Sequence, residues 1–183
     1  MKSMMIKDLM IPLADYATVR EEATLYEAVL ALEASQKKVG QHRARHRAVL
    51  VLGAGGDVSG KLDMTNVLKG LEPRYVQIEE TEQGGPIFTT EFIRSMMEKY
   101  SLWEKPLDDL CKKAARIKVK DLVLAPTEGE YIPEGSTLDE AVHQLVISRH
   151  QSLLVTRDGR VVGILRLSDV FERVCEQIKA CQL

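Results

Sequence analysis

Cysteine is scarce in this chain. The 183 residues hold three, Cys111, Cys175 and Cys181, an odd number with no Cys-x-x-Cys spacing and no paired histidines. That excludes a disulfide framework or a structural zinc site and fits reduced thiols with no assigned role. Charge of one sign is also lacking, with a formal net charge of −2, so the surface as a whole is no footprint for nucleic acid or anionic lipid. No apolar run approaches the roughly 18 residues of a membrane-spanning helix. At the start, Lys7 and Asp8 interrupt the apolar residues of 1–12 before they reach signal-peptide length, so a cytoplasmic protein is expected. Catalytic signatures are missing too: no phosphate-cradling Gly-x-x-x-x-Gly-Lys-Ser/Thr, no His-Glu-x-x-His, no nucleophile elbow and no Cys/His pair at diagnostic spacing. The Gly53-Ala-Gly-Gly56 stretch precedes a strand pattern rather than a helix, so it reads as a hairpin turn and not a phosphate loop. No enzyme activity, metal or required cofactor is expected.

What is present is a repeat. Ile6–Val29 aligns without a gap on Val119–Val142, and nine of the 24 pairs are identical, where unrelated sequences would share roughly one or two. The likeness resumes at residues 46–51 against 150–155, and at 60–67 against 163–170. Two units of this size bury a core by packing on each other, and the seam between them is where loops of both halves converge.

Each unit reads β-α-β-β-α. Thr24-Leu-Tyr-Glu27 and Thr137-Leu-Asp-Glu140 fit capping boxes, in which Thr accepts from a backbone N–H and Glu reaches back. Apolar residues then recur at helical spacing, through Leu25, Ala28, Val29 and Leu32, and through Leu138, Ala141, Val142, Leu145 and Val146, so one helix face is buried. Paired apolar runs follow, 48–52 with 58–62 and 153–156 with 161–165, separated by Gly- and Asp-Gly-containing turns that predict hairpins. A second helix starts near Thr65 and near Ser168. Short extended segments, 16–19 and 130–132, precede the first helices. Between the units lie a polar stretch, 72–86, and two helical patterns within 89–116, the first carrying Phe92, Met96, Tyr100 and Trp103, the second Leu107, Leu110, Cys111 and Ala114 after Pro106. The Met and aromatic stripe reads as core or dimer contact rather than a cofactor box. The chain therefore divides into repeat 1 (1–71), an inserted helical hairpin (72–116) and repeat 2 (117–183).

The motifs Lys-Asp-Leu-Met-Ile-Pro at 7–12 and Lys-Asp-Leu-Val-Leu-Ala-Pro at 120–126, the two Thr-Leu-x-Glu-Ala helix starts, and Gly163-Ile-Leu-Arg-Leu-Ser-Asp169 together resemble the tandem cystathionine-β-synthase (CBS) domain family, the Bateman module. The resemblance covers both repeats and not residues 72–116. It implies an α+β fold of two pseudo-symmetric CBS repeats packed through their sheets. It also implies a regulatory, energy-sensing role: binding AMP, ADP, ATP or another adenosine derivative without turnover. In nucleotide-sensing members the signature Asp holds ribose hydroxyls, the Thr/Ser position reaches phosphate, and the other repeat encloses adenine.

Carried onto this chain, the resemblance implies one cleft joining Arg166, Ser168 and Asp169 to Ala17, Thr18, Val19, His46, Arg47 and Ala48. Arg166 stands where the family has a hydroxyl, and its guanidinium suits bidentate phosphate pairing. The competing reading has Ser168 and Asp169 only capping the last helix. A second, weaker cleft would use Asn66 and Asp63 with Glu130, Tyr131, Ile132, His150, Gln151 and Ser152. There Asp63 at the phosphate position repels an anion, which favours an empty cleft. The basic stretch 37–47, with His42, Arg43, Arg45 and Arg47, has three readings: solvated loop, polyphosphate contact, or nucleic-acid contact. The last lacks a stacking platform because no aromatic is interleaved, and nucleic acid is not an expected partner. Family members pair through their helices, which implies a homodimer, with the readout passed to an unknown effector protein. The alternative function is a constitutive dimerisation or interaction protein with vestigial clefts.

Overall fold

The computed structural model describes residues 4–38, 46–75, 78, 89–103, 109–123 and 125–180. Of the calls above, His42, Arg43, Arg45, most of the 72–86 stretch, Pro106, Leu107 and Leu124 lie outside the described residues.

Repeat 1 contains β1 (Ile11–Pro12), β2 (Thr18–Arg20), α1 (Leu25–Lys38), β3 (Ala48–Leu52), β4 (Val58–Asp63) and α2 (Met64–Leu71). The insertion contributes α3 (Thr90–Lys99) and α4 (Leu110–Ala114). Repeat 2 follows with β5 (Tyr131–Pro133), α5 (Leu138–Ser148), β6 (Ser152–Arg157), β7 (Arg160–Arg166) and α6 (Leu167–Ala180). The strands form two sheets, β2-β3-β4 and β1-β7-β6-β5. Strand β2 runs parallel to β3 and β5 to β6, and the β3–β4 and β6–β7 hairpins are antiparallel.

Both capping boxes form. Glu27 accepts from the Thr24 N–H at 2.6 Å and the Thr24 hydroxyl accepts from Glu27 N–H at 3.2 Å, and Thr137 with Glu140 repeats the arrangement. The β6–β7 hairpin turns on Asp158 and Gly159, both at positive φ (50° and 77°), the geometry of a two-residue primed turn.

The two repeats do not keep their cores to themselves. The segment before β1 docks on repeat 2: Ile6 N–H donates to Ser136 O (3.0 Å), Lys7 N–H to Glu134 O (3.3 Å), and Leu138 N–H to Met4 O (3.0 Å). The equivalent segment before repeat 2 docks on repeat 1 in the same way. There Val119 N–H donates to Ala23 O (2.9 Å), Lys120 N–H to Glu21 O (3.0 Å), and Leu25 N–H to Ile117 O (2.9 Å). Ile6 is fully buried among Leu138, Ala141, Leu145 and Val170, and Val119 among Leu25, Ala28, Val51 and Leu62. The Lys-Asp-Leu motif that marks the repeat is therefore a reciprocal arm, and the chain-order division at 71 and 117 does not coincide with the boundaries of the cores.

The arm continues into β1, which pairs antiparallel with β7, Ile11 against Ile164 and Pro12 against Gly163. Gly163 is required there, because a Cβ would stand 2.6 Å from Ile11 O. Between the sheets, Ile11, Tyr16, Leu50, Leu154 and Ile164 form a third apolar cluster, which is the seam itself.

The insertion is fastened to the C-terminal end of α2. Glu72 is buried and accepts from Arg74 Nε and Nη2 (2.6 and 2.7 Å) and from Trp103 N–H (3.0 Å), while Arg74 Nη1 reaches Tyr100 O (2.8 Å). The Arg74 hydrogen bonds hold the Glu72 carboxyl down at about 2 against the cost of its burial. Lys113 adds a bond to Leu71 O (3.2 Å).

Replacing Ile6 by alanine opens a cavity in the core of the other repeat. The expected loss is about 2–5 kcal/mol, measured by urea unfolding; a loss under about 1 kcal/mol would mean the arm is not a core element.

Candidate functional site

The ends of the hairpins and the starts of the following helices converge at the seam. They form a solvent-open cavity of about 630 Å³ lined by Tyr16, Arg47, Ala48, Lys61, Asp63, Met64, Thr65, Arg149, His150, Gln151, Ser152, Arg166, Leu167, Ser168 and Phe171. The volume lies within the range of small-molecule sites. Repeat 1 supplies the ends of β4 and the first turn of α2 together with the entry to β3. Repeat 2 supplies the exit of α5, the entry to β6 and the β7–α6 junction.

Of the first predicted set, Arg47, Ala48, Arg166 and Ser168 line this cavity; of the second, Asp63, His150, Gln151 and Ser152 do. One cavity thus draws on both sets. Ala17, Thr18, Val19, Asn66, Glu130, Tyr131 and Ile132 are not in its walls. Thr18 and Val19 are paired in β2 with Leu50 and Val51, and Ala17 O accepts from Leu50 N–H (2.9 Å). Tyr131 and Ile132 pair in β5 with Leu154 and Val155.

His46 also stands behind the wall. It is buried, its Nδ1 lies 2.6 Å from Ser35 Oγ, and its carbonyl accepts from Gln36 Nε2 (2.9 Å). Its ring stacks on Tyr16, centroids 4.3 Å apart and planes 18° from parallel. Tyr16 rather than His46 therefore faces the cavity.

Arg166 and Asp169, expected to hold phosphate and ribose, are bonded to each other. Arg166 Nε donates to Asp169 Oδ2 (2.6 Å) and Nη2 to Oδ1, and both side chains are buried. The spacing of three residues across the β7–α6 junction brings the two heads together, and the fork satisfies the carboxylate bidentately. Asp63 is spent locally as well, accepting from Asn66 N–H (2.8 Å) at the N-cap of α2, while Asn66 Nδ2 contacts Leu122 O (3.4 Å).

Lys61 was not anticipated. On β4 it replaces the apolar residue found at the matching place in β7, and it crosses the seam to Glu130 (2.6 Å) and Ser152 O (3.2 Å). Burial works against the Glu130 charge, but Lys61 and the Thr127 N–H bond bring its pKa below the ordinary value. Arg47 and Arg149, both exposed, have no ion-pair partner among the described residues. The walls thus carry four cations against the single carboxylate of Asp63, with two of the cations already neutralised by carboxylates behind them. Thr65, Met64, Leu167 and Phe171 were also missed; they follow from the helix-start positions once both repeats are known to face one cavity. Among the described residues no cluster of His, Cys, Asp and Glu is fit to hold a metal ion, and no helix is long and apolar enough to cross a membrane.

The architecture is that of a CBS-domain pair. Residues 119–176 match the family model described as CBS domain, and the chain as a whole has the fold of solved CBS-domain pairs. Comparison with curated proteins gives no match. Among solved structures the chain is similar to the CBS-pair protein CBSX2 from Arabidopsis thaliana, at 18% identity over 96% of this chain and 96% of that one, TM-score 0.60. It is similar to CBSX2 in complex with AMP, at 19% identity over 96% and 98%, TM-score 0.57. A third likeness is to the CBS domain of the bacterial CNNM/CorC family Mg2+ transporter in complex with ATP, at 14% identity over 95% and 89%, TM-score 0.60.

Burial raises the Tyr16 phenol to about 12; Arg166 opposes the rise, Asp169 adds to it, and a hydrogen bond from the Ala48 backbone opposes it. Because the folded value lies above the unfolded 10.0, the associated stability is whole below pH 10 and is lost as pH climbs toward 12. Between those pH values the protein should lose about 2–3 kcal/mol relative to Tyr16→Phe, as measured by urea unfolding. Parallel curves for the two proteins would show that the phenol is not shielded.

Proposed function

We propose that this chain is a regulatory module that binds an adenosine-containing ligand of the AMP, ADP or ATP class in the cavity between its repeats, without catalysis, and that it acts in the cytoplasm. The observation that carries this reading is the cavity itself: a cleft at the seam, open to solvent, with cationic walls from both repeats, an aromatic ring at Phe171 and serine and threonine hydroxyls. Cations suit the phosphates, while backbone and uncharged polar groups suit the base and sugar. The AMP and ATP complexes of similar CBS structures support the same ligand class.

A ligand spanning the seam alters the relative packing of the repeats only to the extent that it binds one packing better than another. On this reading the first turn of α2, with Met64 and Thr65 in the wall, transmits that change to the insertion fastened at the other end of the same helix. The insertion or the outer helices would pass it to an effector protein.

A second reading is favoured by one specific feature. Phe171 and Ile178 on α6 and Val146 and Ile147 on α5 are between 63% and 71% exposed, an apolar surface suited to a second copy of the chain. A purely constitutive dimer would be indifferent to nucleotide, so light scattering with and without ATP separates the two readings.

Thermal-shift and calorimetric titrations with AMP, ADP, ATP and S-adenosylmethionine test the sensor reading. At about ten times its Kd a ligand adds about 1.4 kcal/mol, a rise in Tm of about 3–5 °C for a chain of this size. No shift and no heat with any of the four at millimolar concentration contradicts it.

A further inference from the structure

We propose that Arg149 makes the cavity select adenosine di- and triphosphates over the monophosphate. The inference rests on the reading of the cavity as an adenosine-nucleotide site and adds to it the identity of the phosphate chain.

Arg149 ends α5 in the left-handed conformation, φ 55° and ψ 28°. That position normally favours glycine, because a Cβ is strained there. The chain instead keeps an arginine, whose side chain lines the cavity and has no hydrogen-bond or ion-pair partner among the described residues. A non-glycine residue held in a disfavoured conformation, with an exposed guanidinium that no group among the described residues engages at a binding cavity, points to a ligand contact rather than to folding.

The distribution of the other charges says which ligand. Lys61 is held by Glu130 and Ser152 O, and Arg166 by Asp169, so a phosphate reaching either must compete with a carboxylate. Arg47, at the entry to β3 of repeat 1, is open to a first phosphate. A monophosphate is satisfied by that one guanidinium. Further phosphates need a second cation, and Asp63 in the repeat 1 wall repels them from that side. The opposite wall offers Arg149, so a longer phosphate chain reaches from one repeat to the other. A guanidinium bonded to phosphate is a strong, charge-assisted contact.

The test is calorimetric titration of the full chain with AMP, ADP and ATP, for the natural protein, Arg149→Gly and Arg149→Lys, with Tm measured for each. The natural protein is expected to bind ATP about tenfold or more tighter than AMP, with ADP between. In Arg149→Gly that ratio should fall toward one, with a Tm unchanged or raised because glycine relieves the left-handed strain; Arg149→Lys should keep part of the preference. Equal affinity for AMP and ATP in the natural protein, or an ATP preference undiminished in Arg149→Gly, overturns this inference while leaving the nucleotide reading intact. Absence of binding by all three nucleotides overturns both.

Discussion

Ile6 and Val119 are the pegs on which the architecture hangs. Each is carried by an arm of one repeat and fully buried in the core of the other, and each arm is secured by the same three backbone hydrogen bonds at matching positions. A repeat of this size is short of apolar surface to bury by itself, and the exchange gives each one the missing peg. It also means that neither repeat completes its core without the other. The seam is thus more than a contact between finished domains, and a cavity formed there has walls fixed by both cores.

The electrostatics of that cavity follow from the same symmetry and from its breaking. The strand-to-helix junctions of the two repeats face each other, with Asp63 at one and Arg166 at the other. Arg166 is neutralised by Asp169 from the next turn, and Lys61 by Glu130 from across the seam. A buried charge left unpaired is costly, which explains why the inner cations have carboxylates behind them while the exposed Arg47 and Arg149 do not need them. The cationic capacity available to an incoming anion therefore lies at the exposed arginines, one from each repeat.

Much of the fold was legible because its signals are local. Thr24 and Glu27, or Thr137 and Glu140, sit three residues apart and form capping boxes wherever the chain begins a helix; Asp158-Gly159 carries its turn in its own backbone freedom. The crossing of β1 was not legible. It is two residues long, includes Pro12, and finds its partners Ile164 and Gly163 some 150 positions away, so no periodicity announces it. The repeated Lys-Asp-Leu motif was visible, but its meaning as an exchanged arm needed the tertiary structure. In the site, residue types pointed to the seam while their partners did not. Nothing in the spacing says that Arg166 turns to Asp169, or that His46 slips beneath Tyr16. Arg149 was written in the sequence as an absence, the lack of glycine at a helix end, and its significance appears only with its backbone conformation.

Native-state hydrogen exchange reads the exchanged-arm account most directly. Amides in the middle strands of the two repeats, such as Val51 and Val155, should open with the same free energy and the same denaturant dependence, because each core is completed by the other's arm. A repeat whose strand amides exchange through a separate, lower-energy opening while those of its partner stay protected would contradict it.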